Sequence, residues 1–248
     1  MRTFGLIGYP LSHSFSKRYF SEKFEQEGIS GHQYELFPLE HIDLLKTILN
    51  IKDLNGLNVT IPYKVAVLPY LDELDSAAAY IGAVNCIDVN QQDGKPFLKG
   101  YNTDAYGFEA SLTPLLKAHH QKALIFGDGG AAKAVKYVLE QLGISYLSVV
   151  RNTDGEHMLY EQVNEMLLKE YTLLINTTPL GMSPNVEGCP PIPYQFISDQ
   201  HLAYDLVYNP LETTFLTRCK ERGATVKSGL EMLHLQAERS WEIWNNNK

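Results

Sequence analysis

The chain has 248 residues, of which 44% are hydrophobic and 20% are charged, and its formal net charge at pH 7 is -8. This composition is ordinary for a folded globular protein and lacks the low hydrophobicity of a disordered chain. The negative charge disfavours nucleic acid and anionic membranes as partners, so a small-molecule partner is expected.

Neither a targeting segment nor a stabilising cross-link is evident. The start, MRTFGLIGYPLSHS, has too short an apolar stretch for a secretory signal, and no later segment approaches the ~20 apolar residues of a membrane-spanning helix. Cys86, Cys189 and Cys219 are far apart and have no CxxC spacing, so neither disulfides nor a metal site is predicted. We expect a cytoplasmic protein, either a monomer or a homodimer, that binds no metal.

The first half alternates strand-length apolar runs with amphipathic segments, which predicts βα units. A strand over TFGLIG is followed by a helix with apolar residues at helical spacing over 15–24, and then by a strand near 33–38. A helix over 42–49 precedes the strand GLNVT, which stops at Pro62, a residue suited to a first helical turn. After a small-residue helix at 77–82, AVNCIDV and KPFLKGY flank QQDG, which predicts a hairpin in a mixed sheet.

The second half reads as a second βα region. KALIFG, a glycine-rich turn, a helix ending near Leu142 and YLSVV form a βαβ beginning, and TLLINTT, AYDLVY and ATVKS predict further strands. A helix over 104–117 is expected to connect the two regions. The fold class is therefore α/β with two domains, one over 1–101 with a mixed, mostly parallel sheet and one over 102–229. The final helix, 230–248, is expected to pack back on the first domain.

A dinucleotide fingerprint lies at the start of the second region. Gly127, Gly129 and Ala132 form GxGxxA directly after an apolar strand and at the start of a helix. The first glycine permits the tight turn, the second lets the backbone approach a pyrophosphate, and the small third residue permits close packing of the helix. A glycine-rich helix start without a ligand is the alternative interpretation.

The residues after the next strand favour NADP(H) as the cofactor. An NAD enzyme places an acidic side chain there, about 20 residues after the glycines, but this chain has Arg151, Asn152 and Thr153. A guanidinium group with neighbouring amide and hydroxyl donors suits a 2′-phosphate, whereas the alternative is a solvated surface arginine. Asp154 and Glu156 follow closely, so NAD use is not excluded.

Four polar clusters, SHSFS, NVTIPYK, GAVN and NTD, follow or precede strands in the first half. Ligands of open α/β sheets bind beyond the carboxyl ends of strands, so these clusters could form one site for a polyol. Taken singly, each has a structural explanation: Ser14 or Ser16 as a helix cap, Thr60 as a strand residue, Asn85 as a hairpin hydrogen-bonder, and Lys64 as a solvated helix charge.

Eight segments together resemble the shikimate dehydrogenase family over nearly the whole chain. They are SHSFS, NVTIPYK, GAVN, NTDAYG, GDGGAAKA, NTTPLGM, YDLVYNP and GLEMLHLQA, in the family's order and spacing. The resemblance implies an N-terminal substrate domain, a C-terminal NADP-binding domain of Rossmann type, and an active site in the cleft between them. The implied activity is the reversible NADPH-dependent reduction of 3-dehydroshikimate to shikimate in aromatic amino acid biosynthesis.

The resemblance also implies a role for each residue whose motif matches. Lys64 and Asp104 are expected to be catalytic. The residues expected to bind the substrate are Ser14, Ser16, Thr60, Asn85, Tyr208 and Gln236. The residues expected to bind NADP(H) are Gly127, Gly129, Gly130, Ala131, Arg151, Asn152, Thr153, Thr178 and Gly229.

The chemistry of the reaction supports a lysine–aspartate pair. Hydride delivery to a ketone builds alkoxide charge, which Lys64 can protonate while Asp104 orients the ammonium group. The sequence leaves open which of the two is the formal acid. Alternative functions are a quinate/shikimate dehydrogenase that uses NAD or NADP, and a catalytically silent NADP-binding sensor.

Three positions depart from the family pattern. Ala105 stands where glycine is usual, Asp128 where a small apolar residue is usual, and VRNT is an imperfect match to the family's Asn-Arg-Thr phosphate clamp. Asp128 places a carboxylate near the expected pyrophosphate, which weakens cofactor binding unless the side chain points away.

Overall fold

The computed structural model describes residues 1–11, 14–152 and 155–246. The chain forms two compact units. Unit 1 consists of Met1–Thr103 with Ala237–Lys248, and unit 2 consists of Asp104–Gln236. The division between them therefore lies two residues beyond the expected boundary at 101/102, and the final helix is divided, with its residues up to Gln236 grouped in unit 2.

Unit 1 contains six strands and four short to medium helices among its described residues up to 101. They are β1 (Arg2–Gly8), α1 (Phe15–Gln26), β2 (His32–Pro38), α2 (Leu45–Ile48), β3 (Leu54–Val59), α3 (Tyr63–Ala66), β4 (Glu73–Leu74), α4 (Ser76–Ile81), β5 (Cys86–Gln92) and β6 (Lys95–Tyr101).

The remaining elements begin at the boundary between the units. They are α5 (Thr103–Leu112), β7 (Lys122–Phe126), α6 (Gly130–Gln141), β8 (Ser145–Val150), β9 (Met158–Leu159), α7 (Glu165–Glu170), β10 (Leu173–Asn176), β11 (Leu202–Asp205), α8 (Thr214–Lys220), β12 (Thr225–Ser228) and α9 (Leu230–Asn246).

The sheet of unit 1 is mixed and has the strand order β2-β1-β3-β5-β6-β4. Strand β1 runs parallel to β2 and β3, whereas β5 runs antiparallel to β3 and to β6. The predicted hairpin is confirmed: Gln92 pairs with Lys95, and the two residues between them, Asp93 and Gly94, have φ of 52° and 75°. Positive φ at both positions defines the turn whose twist matches that of the two strands.

The end of α9 completes the core of unit 1. The Trp244 ring is fully buried, stacks on Phe4 with ring centroids 4.9 Å apart, and its indole N–H donates to the carbonyl oxygen of Ile87 at 3.0 Å. The Arg2 guanidinium group donates to the Trp244 carbonyl oxygen at 2.7 Å and so satisfies one of the orphan acceptors of a helix end.

The sheet of unit 2 has the order β12-β11-β10-β7-β8-β9, and all its strand pairs are parallel. Residues 123–126 of β7 and 173–176 of β10 are fully buried. Central strands covered on both faces by other elements are typical of parallel sheets, and they explain why these strands read as continuous apolar runs.

The connecting helix is shorter than predicted. Helix α5 ends at Leu112 instead of near residue 117, and a single 3₁₀ turn, Thr113–Leu115, follows it. Pro114 lies in this turn, has no backbone N–H to continue the helix, and would collide with the preceding turn. Over the part of the chain that the structure describes, no helix is long and apolar enough to cross a membrane.

Candidate active site

One edge of the unit 1 sheet gathers three of the predicted substrate-side residues. Thr60 follows the carboxyl end of β3, and its N–H donates to the Ile7 carbonyl oxygen of β1 at 2.9 Å. Because β5 runs antiparallel to β3, the residue before β5 lies at this same edge: Asn85 accepts from the Val59 N–H through its carbonyl oxygen at 2.8 Å. The Lys64 carbonyl oxygen of α3 accepts from the neighbouring Val84 N–H, also at 2.8 Å.

Ser14 and Ser16 lie at the start of α1. The Ser14 side chain is half-buried and accepts the Ser16 backbone N–H at 3.3 Å, as an N-cap residue does. The Ser16 hydroxyl forms a hydrogen bond with Tyr34, which lowers the Tyr34 pKa, but burial has the larger effect and holds that pKa well above its ordinary value. Ser14 is therefore a helix cap in this structure, a role that leaves its hydroxyl hydrogen available to an anion.

A buried network of polar side chains that sequence reasoning missed underlies this edge. The Tyr34 hydroxyl donates to Asn58 Oδ1 at 2.8 Å, and the Asn58 amide donates to Ser240 Oγ at 2.9 Å. The Ser240 hydroxyl lies 3.2 Å from Thr103 Oγ1, and the Thr103 backbone N–H donates to Asn85 Oδ1 at 2.6 Å. The Asn85 side chain is thus buried and already bound within unit 1, which fixes its orientation at the edge.

The two predicted catalytic residues fall in different units. Lys64 is half-buried on α3 of unit 1, whereas Asp104 is half-buried in the first turn of α5 and is the first residue of unit 2. A carboxylate in the first turn of a helix is favoured by the helix dipole. Its neighbour Thr103, the last residue of the long segment of unit 1, donates its backbone N–H to Asn85 Oδ1 at 2.6 Å.

The glycine-rich turn of unit 2 has the local geometry that the fingerprint predicts. Gly127 has a φ of +100°, and a Cβ atom there would lie 2.8 Å from the Thr178 methyl carbon, so only glycine fits. Ala132 is fully buried, as close packing of α6 requires. A Cβ atom on Gly129 or on Gly130 would meet nothing within 4 Å, so open space faces the N-terminus of α6. This helix end offers backbone N–H donors to an anion.

The carboxylate of Asp128 is paired. It forms an ion pair with the Lys136 ammonium group, and His157 Nε2 lies 3.1 Å from it. The lysine charge offsets the acid that this chain carries in its glycine-rich turn. Because its charge is compensated in this way, the Asp128 carboxylate does not prevent a pyrophosphate from binding at the turn.

Arg151 and Asn152 follow the end of β8, and both are exposed. Their exposure leaves the guanidinium and amide donors accessible to a ligand in unit 2. Thr153, the third predicted member of this group, lies outside the described residues, as does Asp154.

A second buried network, also missed by sequence reasoning, lies at the carboxyl ends of β10 and β11. Asp205 is fully buried and accepts hydrogen bonds from the Thr213 hydroxyl at 2.6 Å, the Asn176 amide at 2.9 Å and the Val207 N–H at 3.0 Å. Burial raises the pKa of Asp205 to about 6, although these three hydrogen bonds act in the opposite direction. The Asn176 amide oxygen in turn accepts from the backbone N–H and hydroxyl of Thr178, at 3.1 and 2.6 Å.

The remaining predicted residues of unit 2 have distinct local roles. Tyr208 is half-buried after β11, and burial raises its pKa. Gln236 is half-buried on α9, and its amide donates to the Leu233 carbonyl oxygen at 2.8 Å. A Cβ atom on Gly229 would lie 2.2 Å from the Leu206 carbonyl oxygen, so close backbone packing accounts for this glycine.

The three cysteines are unpaired, and Cys86 and Cys219 are buried. Among the described residues, no group of three or more His, Cys, Asp or Glu side chains is arranged to hold a metal ion.

Comparison with known proteins gives consistent matches. A sequence profile described as "Shikimate dehydrogenase substrate binding domain" matches residues 6–87. A Clostridium beijerinckii protein named shikimate dehydrogenase (NADP(+)) is 40% identical, over 98% of this chain and 92% of its own length. The crystal structure of shikimate 5-dehydrogenase from Thermus thermophilus with NADP(H) and shikimate is 30% identical, covers 99% of this chain and 94% of that one, and has a TM-score of 0.85. The crystal structure of shikimate 5-dehydrogenase from Listeria monocytogenes with shikimate and NAD is 26% identical. The match covers 99% of this chain and 92% of that one, with a TM-score of 0.86.

Proposed function

This chain belongs to the shikimate dehydrogenase family, and we propose that it catalyses the reversible NADPH-dependent reduction of 3-dehydroshikimate to shikimate. The observation that carries the proposal is the grouping of Thr60, Lys64 and Asn85 at one edge of the unit 1 sheet, where backbone hydrogen bonds link Asn85 to Val59, the neighbour of Thr60, and Lys64 to Val84, the neighbour of Asn85. These residues supply a hydroxyl, an ammonium and an amide group, which is the set of donors that a hydroxylated ring requires.

Unit 1 is proposed to bind the substrate. The hydroxyls of Ser14 and Ser16 bind the substrate carboxylate, since both lie at the N-terminus of α1, where the helix dipole favours an anion. Ser16 exchanges its hydrogen bond with Tyr34 for one to the carboxylate. Thr60 and Asn85 bind the ring hydroxyls. Tyr208 and Gln236 of unit 2 are proposed as additional donors to the substrate.

Lys64 is proposed as the proton donor. When hydride reaches the substrate carbonyl carbon, the carbonyl oxygen becomes an alkoxide, and its negative charge must be neutralised as it develops. The Lys64 ammonium group donates a proton to this oxygen in the reduction and takes it back in the reverse direction. Asp104 orients the ammonium group and accepts a hydrogen bond from a ring hydroxyl.

Unit 2 is proposed to bind the cofactor, which supplies the hydride. The open space in front of Gly129 and Gly130 supports this assignment, because the backbone N–H groups at the start of α6 are accessible there to a pyrophosphate. Arg151 and Asn152, with Thr153, bind the 2′-phosphate. The residues proposed to complete the cofactor site are Gly127, Ala131, Thr178 and Gly229.

The cytoplasm is the proposed compartment. Cys86, Cys189 and Cys219 are all unpaired, and exposure to an oxidising compartment favours paired cysteines.

Substitution of Lys64 tests the proposed chemistry. We expect Lys64→Ala to lower the turnover number for shikimate oxidation by ~10²–10⁴-fold, the usual contribution of a positioned acid or base, with the melting temperature nearly unchanged. Lys46→Ala, which removes an exposed helix lysine on α2, is the matched control and should keep normal turnover. Near-normal turnover of Lys64→Ala at saturating shikimate and NADP would refute the proton-donor role.

A further inference from the structure

Asp205 is a buried acid that the proposed chemistry does not use. It lies at the last position of β11 with no exposed surface, and its carboxylate accepts hydrogen bonds from Asn176, Val207 and Thr213. Burying a carboxylate is unfavourable unless donors compensate it. Because three donors from three different segments meet at this one group, its position fixes those segments relative to one another.

One branch of the network leads from Asp205 to the glycine-rich turn. The Asn176 side-chain N–H donates to Asp205, and this bond directs the Asn176 amide oxygen towards Thr178. The oxygen accepts hydrogen bonds from the backbone N–H and from the hydroxyl of Thr178. While its hydroxyl is bound to Asn176, Thr178 directs its methyl group towards Gly127. If Gly127 were replaced by a larger residue, this methyl carbon would be the atom nearest to the new Cβ atom. The backbone N–H and the hydroxyl of Thr177 join the segment after β10 to the Phe126 carbonyl oxygen at the end of β7, at 3.0 and 2.8 Å. The Asn176 amide adds the orientation of the next residue, Thr178, beside the glycine-rich turn.

The other branch leads to the segment after β11. The Val207 N–H donates to Asp205 Oδ1 at 3.0 Å, and the Val207 carbonyl oxygen accepts from the Gly229 N–H at 3.1 Å. Tyr208 is the next residue along the chain. Asp205 thus fixes the backbone immediately before Tyr208 and, through Val207, the start of α9.

The strand order shows which half of a dinucleotide these segments face. In the order β12-β11-β10-β7-β8-β9, Arg151 follows β8 on one side of β7, whereas β10 and β11 lie on the other side. A dinucleotide bound across such a sheet lies with one mononucleotide half on each side of the first strand. If Arg151 binds the adenosine half, the segments held by Asp205 face the nicotinamide half.

We propose that Asp205 is a positioning residue for the nicotinamide half of the cofactor site, acting through Asn176 and Thr178 on one branch and through Val207 on the other. This inference rests on the proposed function, since it takes the cofactor to be bound by unit 2. It assigns Asp205 no contact with the cofactor.

Asp205→Asn tests the proposal with little change in shape. The substitution replaces the charged Oδ1 acceptor of the Asn176 amide and the Val207 N–H by a neutral one, and it puts a donor where Oδ2 accepts from Thr213. Because hydrogen bonds to a charged acceptor are the stronger ones, both branches are held more weakly in the variant. Titration calorimetry would measure the Kd of NADP and that of adenosine 2′,5′-bisphosphate, which contains only the adenosine half with its 2′-phosphate. We expect the Kd of NADP to rise by roughly 10–100-fold, the loss typical of a hydrogen bond to a charged group, and the Kd of the fragment to change by less than about twofold.

Hydrogen exchange supplies a readout without any ligand. In Asp205→Asn, the amides of Thr178 and Val207 should exchange faster than in the wild type, because both hydrogen bonds belong to the network. Asp199→Asn removes the charge of an exposed aspartate in the same unit and is the control. It should leave both Kd values and both amides unchanged.

A second pair of variants guards against a folding failure of Asp205→Asn. Thr213→Val removes one donor to Asp205 and should raise the Kd of NADP more than the Kd of the fragment. Thr213→Ser keeps the hydroxyl and should have the wild-type Kd of NADP. The proposal would be overturned by a variant that loses thermal stability but keeps both Kd values of the wild type. It would also be overturned if the Kd of NADP and the Kd of the fragment rose by the same factor. Wild-type protein that binds neither ligand would overturn the proposed function and this inference together.

Discussion

Arg151 follows β8 with its side chain exposed, which is compatible with a ligand-binding residue and with a solvated one. We expect Arg151→Ala to raise the Michaelis constant for NADP by roughly 10–100-fold over its effect on that for NAD, because only NADP presents a 2′-phosphate to the guanidinium group. Arg222→Ala, which removes an exposed arginine elsewhere in unit 2, is the control. Equal effects of Arg151→Ala on the two cofactors would exclude this residue from the phosphate site.

The raised pKa of Asp205 makes stability depend on pH with a definite sign. Burial raises this pKa from 3.8 to about 6 in the folded protein, so between these values the folded state binds more protons than the unfolded state. The contribution of Asp205 to the free energy of unfolding is therefore largest at a pH below its pKa in the unfolded chain. It is lost as the pH rises through its pKa in the folded protein, and the total loss is on the order of 1–3 kcal/mol.

Urea unfolding of the wild type and of Asp205→Asn between about pH 4 and about pH 7 measures this contribution. The difference in the free energy of unfolding, wild type minus variant, should decrease as the pH rises to about 6 and be constant above it. A difference that is the same at every pH would show that the carboxyl group keeps its ordinary pKa.

Residues whose role is local were predictable, whereas those whose role depends on distant partners were not. The positions of Gly127 and Ala132 follow from the turn and the helix that they serve, and the structure gives both the expected geometry. Asn58 and Ser240 are 182 residues apart, and no local pattern indicates that their side chains meet. Asp205 offers one signal, a charged residue within an apolar strand, which points to buried compensating donors.

At the scale of elements, the N-cap of α1 is also a proposed substrate-binding residue. Ser14 caps the helix, so Ser14→Ala should lower the free energy of unfolding by about 0.5–2 kcal/mol and also raise the Michaelis constant for shikimate. Ser14→Asp separates the two effects: aspartate is a good N-cap and should preserve stability, but its charge repels the substrate carboxylate. A normal Michaelis constant in Ser14→Asp, measured beside its denaturant midpoint, would leave Ser14 with the capping role alone.

Elements with strong periodic or turn signals were predicted well, and short ones were not. The hairpin of β5 and β6 was predictable because Asp-Gly readily adopts positive φ. Helices α7 and α8 were not predicted. Helix α7 has only six residues, and its buried Leu168 indicates that packing stabilises it, since so short a helix has little stability of its own.

For the whole molecule, the alternation of strands and helices was sufficient to predict an α/β fold with two regions, and the strand pairings confirm the mixed sheet of the first region. The exact division was not predictable, because it depends on contacts made by the final helix. The sequence of α9 is continuous and amphipathic, yet Gln236 belongs to unit 2 and Ala237 to unit 1. Nothing in the helical periodicity marks that point.

The most direct test of the proposed function is the rate of nicotinamide reduction in four substrate and cofactor pairs: shikimate or quinate, each with NADP or NAD. The proposed function predicts that shikimate with NADP gives the highest kcat/KM, because Arg151 favours the 2′-phosphate and the donors of unit 1 suit the shikimate ring. A higher kcat/KM for quinate or for NAD would support the broader quinate/shikimate activity. No change in nicotinamide absorbance with any pair, in protein that binds NADP, would contradict the proposed catalysis and identify a silent binding module.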